Sequence, residues 1–559
     1  MNPAFSFTVV IPKKVLRGKV EKRMCSVRHF VWKPSTFLTV RINRISLQPF
    51  WSSEMIIIPF VFTNLALFSI LHQSFKIMNN QNRVLLIVAC IALNGSCMAQ
   101  NIQTEEKIIS QININPLQSF QTIEGWGSSL CWWAIQVGNW SEARVDSIID
   151  IITSPDKLNM NIFRYNIGGG DDPSHLGGHM VKGKGKRAEM EGFKASADAP
   201  YDWTADKGQR TIMLKIKEKR PDAVFEAFSN SPPYWMTFSG CSAGNIDPME
   251  DNLRPEYYEA FCNYLLDVCK NYKDQYGLEF KTLEPFNEST SNYWRYLGSQ
   301  EGCHFTSETQ LKIIRILHPK LMASGFKTVI SASDETNIAS FLKVLKVYQS
   351  AGDILERVGQ LNTHTYSGTN DERLEAFKLV EATGKPFWQS ETGPSGDRKS
   401  NFESNLSLTQ KLFDDMRIMR PQAWLDWQLM EEGNEVWCLM KCNFDSHDYN
   451  IVKNLYVRMQ ITRFFKPGYI MIETGNEEVL AASNPGKTEL VVSVINKSNQ
   501  PKSLNLNLSV FPKFGNKILA YRTSTTENCI QILAPTLNNK AISYDAPGLS
   551  LTTFTIPLH

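Results

Sequence analysis

Between residues 123 and 430, short apolar or β-branched runs alternate with stretches whose apolar positions fall three and four apart. The runs are Ile123–Cys131, Met160–Ile167, Ala223–Asn230, Leu278–Asn287, Lys327–Ser333, Val358–Tyr366, Pro386–Glu391 and Gln422–Leu429, and each reads as a strand. The stretches between them read as helices: Tyr257–Tyr272 is amphipathic, and in Leu311–Leu321 the positions Leu311, Ile314, His318 and Leu321 share one helical face. Strand and helix alternating eight times predict an α/β fold of the (β/α)8 TIM-barrel type over residues 123–455.

After Phe465 the period changes from helical to alternating. Glu478–Ala482, Glu489–Asn496, Ser503–Val510, Lys517–Tyr521, Ile530–Leu533 and Leu549–Ile556 are short runs separated by turn residues, which predicts a C-terminal β-sandwich over 456–559. The alternating segment Lys107–Ile114 precedes the barrel and is expected to join that sandwich as an N-terminal strand, within a segment spanning 100–122. A chain of 559 residues with 42% hydrophobic and 21% charged residues has ample apolar content for such a core.

The first hundred residues stand apart. From Met78, one basic residue (Arg83) precedes an uncharged apolar run, Val84–Leu93, and small residues end at Ala99, so residues 78–99 read as a signal peptide and the chain as exported. A lipid-anchored reading through Cys97 is weaker, because Asn94 stands where an aliphatic residue is wanted. Residues 1–77 read as an upstream extension outside the translated protein. The charge balance changes accordingly. The whole chain carries 59 basic and 56 acidic residues, of which residues 1–99 hold twelve and two, leaving 47 against 54, or −7. A mildly acidic protein lacks the concentrated basic face that phosphate contacts need, so nucleic acid is excluded as a partner and a neutral substrate is favoured. No membrane span is expected in the mature chain, and a monomer is expected. Eight cysteines beyond residue 100 are too few for a disulfide framework, with Cys241–Cys303 the one pairing expected.

In TIM barrels the reacting groups project from the C-terminal strand ends. Two such ends carry acids after apolar runs: Asn287-Glu288 in KTLEPFNEST and Glu391 in GKPFWQSETG, three strands apart on opposite sides of the same mouth. A facing carboxylate pair is what glycoside hydrolysis needs, one to protonate the leaving oxygen and one to meet the cationic sugar carbon. Neighbouring strand ends add Arg164, Asn230, His364, Tyr366 and Trp427. Arg164 and Tyr366 would keep Glu391 ionised and oriented, and Asn287 could bond a sugar hydroxyl. The negative charge of Glu391 would raise the pKa of Glu288.

The runs GWGSSLCWWA, FRYNIGGGDD, FSNSPPYWMT, EPFNE, NYWRYLGSQEGCHF and WQSETG together resemble glycoside hydrolase family 30, nearest its endo-β-1,6-galactanase branch, over residues 107–559. The resemblance implies a barrel with an attached β-sandwich, a retaining double displacement, Glu288 as acid/base and Glu391 as nucleophile. Ser289 stands where many members carry proline. On this reading the substrate is a polysaccharide or oligosaccharide, namely the β-1,6-linked galactan of arabinogalactan side chains. The alternatives are β-1,6-glucan or another family specificity, and a non-catalytic carbohydrate-binding role.

Aromatic residues cluster at the same strand ends, and flat rings pack on the apolar faces of sugars. Trp126, Trp132, Trp133, Tyr234, Trp235, Tyr293, Trp294, Trp388 and Trp427 form this group, and several of them are expected to contact substrate, with Asp171 as a mouth residue. Three other signals lead nowhere in sequence. Gly168-Gly169-Gly170 lacks the spacing of a phosphate loop, and no nucleophile elbow is well placed. His175 and His179 stand four apart like a zinc pair, but Gly177-Gly178 separates them and no HExxH glutamate is present, so no metal is expected. The double displacement requires no cofactor.

Overall fold

The computed structural model describes residues 109–175, 179–180, 189–394, 401–515 and 517–559. The upstream extension, the signal peptide and the start of the 100–122 segment lie outside the described residues.

Two strands, β1 (Ile109–Asn113) and β2 (Asn115–Thr122), come first. Eight parallel strands then close into a barrel: β3 (Gly125–Ser129), β4 (Ile162–Asn166), β5 (Val224–Phe228), β6 (Thr282–Glu284), β7 (Val329–Ala332), β8 (Val358–His364), β9 (Phe387–Glu391) and β10 (Ala423–Gln428). They follow one another around the ring, and β10 pairs with both β9 and β3, leaving no free edge. Each lies within the apolar run that predicted it. The helices Tyr258–Tyr276 and Ser307–Ala323 cover the two amphipathic stretches. Gly277 ends the first with φ 63°, a left-handed cap that glycine adopts without strain, and the Thr306 side chain caps the start of the second.

Period-2 alternation decides what the barrel holds. On β4 and β5, Phe163, Tyr165 and Phe225 face outward into the helical layer, where Phe163 packs on Phe225 and Tyr165 on Tyr272. The inward residues Ile162 and Val224 gather with Trp388, Ala423 and Leu425 into a small apolar floor. Above that floor the interior turns polar, which prepares the site.

After β10 come a three-stranded sheet, β11 (Met430–Glu431), β12 (Met440–Asn443) and β13 (Asp448–Ile451), and the helix Lys453–Thr462. The remaining strands are β14 (Ile470–Glu473), β15 (Val479–Ser483), β16 (Glu489–Asn496), β17 (Lys502–Asn507), β18 (Leu519–Ser524), β19 (Ile530–Ile532), β20 (Leu537–Asn538), β21 (Ala541–Ala546) and β22 (Ser550–Pro557). They build a seven-stranded sheet in the order β19-β18-β22-β16-β15-β14-β2 and a four-stranded sheet β1-β17-β21-β20. Ile112, Val492, Leu506 and Phe554 fill one shared core between them. Both N-terminal strands enter this sandwich, β1 beside β17 and β2 beside β14. The sequence pattern missed β2 because this edge strand of NPLQSFQT buries no residue fully and shows no alternation. The helix Lys453–Thr462 joins the two layers: Arg458 forks onto Asp426 of β10, while the Gln460 carbonyl accepts from Thr553 of β22.

The expected Cys241–Cys303 disulfide does not form. All eight cysteines among the described residues are free and buried. Cys303 points into the main core, whereas Cys241 packs in a separate small cluster with Met180 and Ala243. Among the described residues no helix is long and apolar enough to cross a membrane.

Candidate active site

The site begins below the mouth with a charge inside the barrel. Arg164 and Glu226 occupy matching inward positions in the β4–β5 register, and the arginine Nε donates to Glu226 Oε1 at 3.0 Å. The other Glu226 oxygen accepts from Thr282 (2.7 Å), Ser331 (3.1 Å) and Asn362 (2.8 Å), one donor from each of three further strands. A buried carboxylate is tolerable only when so bonded. Its effect is to hold Arg164 rigidly upright, with the guanidinium stacked 4.0 Å over Phe228.

From that position Arg164 organises the mouth. Nη1 donates to Glu391 Oε2 at 2.6 Å, and Nη2 donates to Asp334 Oδ2 at 2.5 Å and Asn287 Oδ1 at 3.3 Å. Glu391 reaches the guanidinium through an irregular register. On the β8–β9 pair, Thr363 is opposite Gln389 but His364 is opposite Glu391, so Ser390 is an extra residue. A bulge of this kind re-aims the following side chain. Ser390 Oγ donates to Asp334 Oδ1 at 2.5 Å, and Tyr366 Oη donates to Glu391 Oε1 at 2.9 Å.

Glu288 follows β6 with φ 50°, a left-handed conformation that is strained for a side-chain-bearing residue. Its backbone is pinned on both sides: its N–H donates to the Asp334 carbonyl at 2.6 Å, and its carbonyl accepts from Trp294 Nε1 at 2.9 Å. Its carboxylate accepts from Tyr293 Oη and lies 3.0 Å from His364 Nδ1. The next residue, Ser289, bonds Glu335 and accepts from Gln310, so the hydroxyl that replaces the expected proline is used to brace the turn.

Glu288 and Glu391 therefore meet across His364, whose Nδ1 is also 3.5 Å from Glu391 Oε1; one carboxylate oxygen from each lies within 4.8 Å of the other. Burial holds His364 below the ordinary histidine range, and with carboxylate oxygens on both sides of Nδ1 the neutral ring carries its proton there. Burial also lifts the Glu288 carboxyl to about 7, against the opposing pull of the Tyr293 donor and the Arg164 charge. Burial, not the neighbouring negative charge that the sequence suggested, is thus the leading cause. Glu391 is raised by burial too, while His364, Arg164 and Tyr366 pull the other way and favour its ionised form. Chemically, the pair offers a carboxylic acid that keeps its proton near neutrality beside a clamped carboxylate.

The two acids open into a cleft of about 520 Å³ lined by Trp132, Asn230, Asn287, Tyr293, Gln300, Thr336, Tyr366, Trp427, Gln428, Glu431, Asn434 and Trp437. Of the residues singled out in sequence, Trp132, Asn230, Asn287, Tyr293, Tyr366 and Trp427 face this space, and Trp132 packs edge-on against Trp427. Arg164 and His364 are fully buried and touch the acids instead. The other expected platforms lie elsewhere. Trp126 and Trp133 are buried, their indole N–H groups donating to the carbonyls of Phe465 and Ser129. Trp388 belongs to the apolar floor, where its N–H donates to Glu124 before β3, at the opposite end of the barrel. Trp294 is a buried brace under Glu288, with Gly302 so close to its ring that a Cβ there would collide. Tyr234 and Trp235 donate to the carbonyls of Ala195 and Lys194, away from the cleft. Asp171 bonds His175 and His179. Trp126 and Trp388 stand within their strands and the others follow strands, so nearness to a strand end does not by itself turn a ring toward the mouth.

Sequence reasoning passed over Asp334 and Glu226. Asp334 closes the apolar run of β7 in SASDE and meets the same criterion that found Glu288; Glu226 is a lone acid within FEAF, a signal in itself. Trp437, Glu431 and Asn434 come from the segment around β11, where nothing in the local pattern marks them.

Residues 109–374 match the family model for O-glycosyl hydrolase family 30. The chain is 30% identical over 401 residues to an endo-β-1,6-galactanase of Hypocrea rufa, covering 69% of this chain and 81% of that protein. Among solved structures, a conserved exported protein from Bacteroides fragilis superposes with a TM-score of 0.68 at 18% identity, covering 80% of this chain and all of the other. The catalytic domain of a family 30 xylanase C from Talaromyces cellulolyticus does so with a TM-score of 0.62 at 17% identity and the same coverage.

Proposed function

Because the chain belongs to glycoside hydrolase family 30, we propose that it is a retaining endo-glycosidase of β-1,6-linked galactan, with Glu391 as nucleophile and Glu288 as acid/base. The observation that carries the mechanism is the closeness of the two carboxylates, with oxygens within 4.8 Å of one another. Retaining glycosidases hold their carboxyl groups about 5–5.5 Å apart, whereas inverting ones leave about 6.5–9.5 Å for a water. The clamp on Glu391 suits an anionic nucleophile, and a Glu288 carboxyl lifted to about 7 suits a proton donor.

Glu288 gives its proton to the glycosidic oxygen as Glu391 attacks the anomeric carbon, forming a glycosyl-enzyme and releasing the leaving sugar. Glu288, now ionised, takes a proton from water, which attacks the same carbon and frees Glu391. Asn287 has its Oδ1 committed to Arg164, so its amide N–H groups are what it offers a sugar hydroxyl. Trp427, Trp437 and Tyr366 supply ring faces along the cleft. The galactan assignment rests on the Hypocrea rufa relative, and the signal-like residues 78–99 support action outside the cell interior.

Incubation with β-1,6-galactan and β-1,6-glucan, with products separated by chromatography and their first-formed anomer read by NMR, tests this. Galacto-oligosaccharides released with β configuration are expected. Release of galactose alone overturns endo action, a first-formed α anomer overturns retention, and a preference for glucan overturns the galactan assignment. Inactivity on both glycans, with wild type and E391Q binding galactan equally, would favour the non-catalytic carbohydrate-binding role.

A further inference from the structure

Beside the cleft, four side chains of metal-ligating type converge from parts of the chain that sequence spacing does not connect. Asp171 follows β4; its Oδ1 is 3.0 Å from His175 Nδ1 and its Oδ2 is 2.6 Å from His179 Nε2. Cys241, from the segment after β5, places Sγ 3.9 Å from His179 Nε2. One donor atom from each of the four lies within 4.8 Å of the others. We propose that Asp171, His175, His179 and Cys241 form a closed, tetrahedral zinc site that ties together the loops along one wall of the cleft.

Three observations besides proximity support a soft, tetrahedral cation. The donor set of thiolate, two imidazoles and a carboxylate is one that zinc takes, whereas magnesium and calcium want oxygen alone. Zinc bonds of about 2.0–2.3 Å put tetrahedral ligands roughly 3.3–3.7 Å apart, a spacing that lies between the 2.6 Å and 3.9 Å separations seen among these donors.

The outer nitrogens are also engaged. His179 Nδ1 is 3.0 Å from the Gly298 carbonyl and His175 Nε2 is 3.4 Å from Tyr296 Oη, the arrangement that fixes which nitrogen of each ring faces a metal. His179 thus has an acceptor at both nitrogens, a carbonyl and a carboxylate, and a neutral ring has one proton for the two. Either a cation at Nε2 or a second ring proton resolves that conflict.

Finally, the Ala243 N–H donates to Cys241 Sγ at 3.4 Å, a contact that favours a thiolate. Without a metal, burial keeps that thiol protonated, with its pKa pushed up to about 11. Zinc binding forms the sulfur–zinc bond and releases the thiol proton to solvent.

With four protein ligands the site has no open position, so its role is structural. It would pin the loop after β4 and the segment after β5 against residues 296–298, two positions before Gln300 of the cleft wall. The Gly169 N–H donating to Glu301 at 3.0 Å continues the same tie. Sequence spacing argued against a metal because Gly177-Gly178 breaks any helix between the histidines, but donors brought together by the fold need no helical spacing.

The test uses the purified full chain, stripped with chelator and titrated separately with Zn2+ and Co2+. One zinc per chain by mass spectrometry, and with cobalt a thiolate charge-transfer band plus the strong visible bands of tetrahedral coordination, are expected. Cys241→Ser should abolish the charge-transfer band, and His179→Gln should lower zinc uptake at least tenfold. Failure of the wild-type chain to take up either metal overturns the proposal, leaving an Asp171–histidine hydrogen-bond cluster. Uptake without the charge-transfer band, or uptake that both variants retain, overturns it as well. None of these readouts depends on glycosidase activity.

Discussion

Arg164 Nη1 lies 2.6 Å from Glu391 Oε2, and neither side chain is more than marginally exposed. The same guanidinium bonds Glu226 and Asp334, so one cation is set against three buried carboxyl groups. Asp334 responds by holding its proton up to about pH 6, burial being the main cause and the Arg164 charge opposing it. Arg164 is therefore a folding residue as much as a positioning one. Arg164→Met leaves those carboxyls without their cation and should destabilise the chain by about 3–5 kcal/mol, read as a fall in the urea midpoint.

Glu288 must be protonated to act as the acid, so kcat/KM should decline as pH rises through about 7. With Glu391 as the nucleophile, the acid limb should report its ionisation. Tyr293 donates to the ionised form of Glu288 and so opposes the upward shift. Tyr293→Phe removes that donor and should move the alkaline limb to higher pH. A limb that stays in place would show that another group sets it.

The two acids are separable by azide. Glu288→Ala should lower kcat by roughly 10²–10⁴-fold, and least on a substrate with an activated leaving group, where azide restores turnover and yields the β-glycosyl azide. Glu391→Gly should be inactive alone and yield the α-azide. The opposite stereochemistry for the two variants would reverse the roles assigned here.

Trp437 reaches the cleft from the segment between β11 and β12, and Gly393 lies against its ring. If its indole packs on sugar, Trp437→Ala should cost about 0.5–1.5 kcal/mol in kcat/KM, a few-fold to about tenfold, on oligosaccharides. Trp388→Phe, deep in the barrel floor, should alter stability and leave KM unchanged. Steady-state kinetics and thermal melts together check both.

Period and polarity along the chain were enough to place every barrel strand and to pick out Glu288 and Glu391, because a strand packed against the helical layer keeps a largely apolar or β-branched run even where single polar residues point into the barrel, and both acids stand where such a run ends. Arg164, His364 and Tyr366 were legible for the same reason. Which strand-end aromatics would meet solvent was not: Trp126 and Trp427 sit in similar local text, yet one faces the barrel wall and the other the cleft. Facing depends on register, on the bulge at Ser390 and on loops that cross from other strands, all of which join residues far apart in sequence. The four-donor cluster of Asp171, His175, His179 and Cys241 is decided in the same way. Local chemistry fixes what a residue can do, while long-range pairing fixes what stands next to it, and only folding brings Cys241 to a histidine 62 positions earlier.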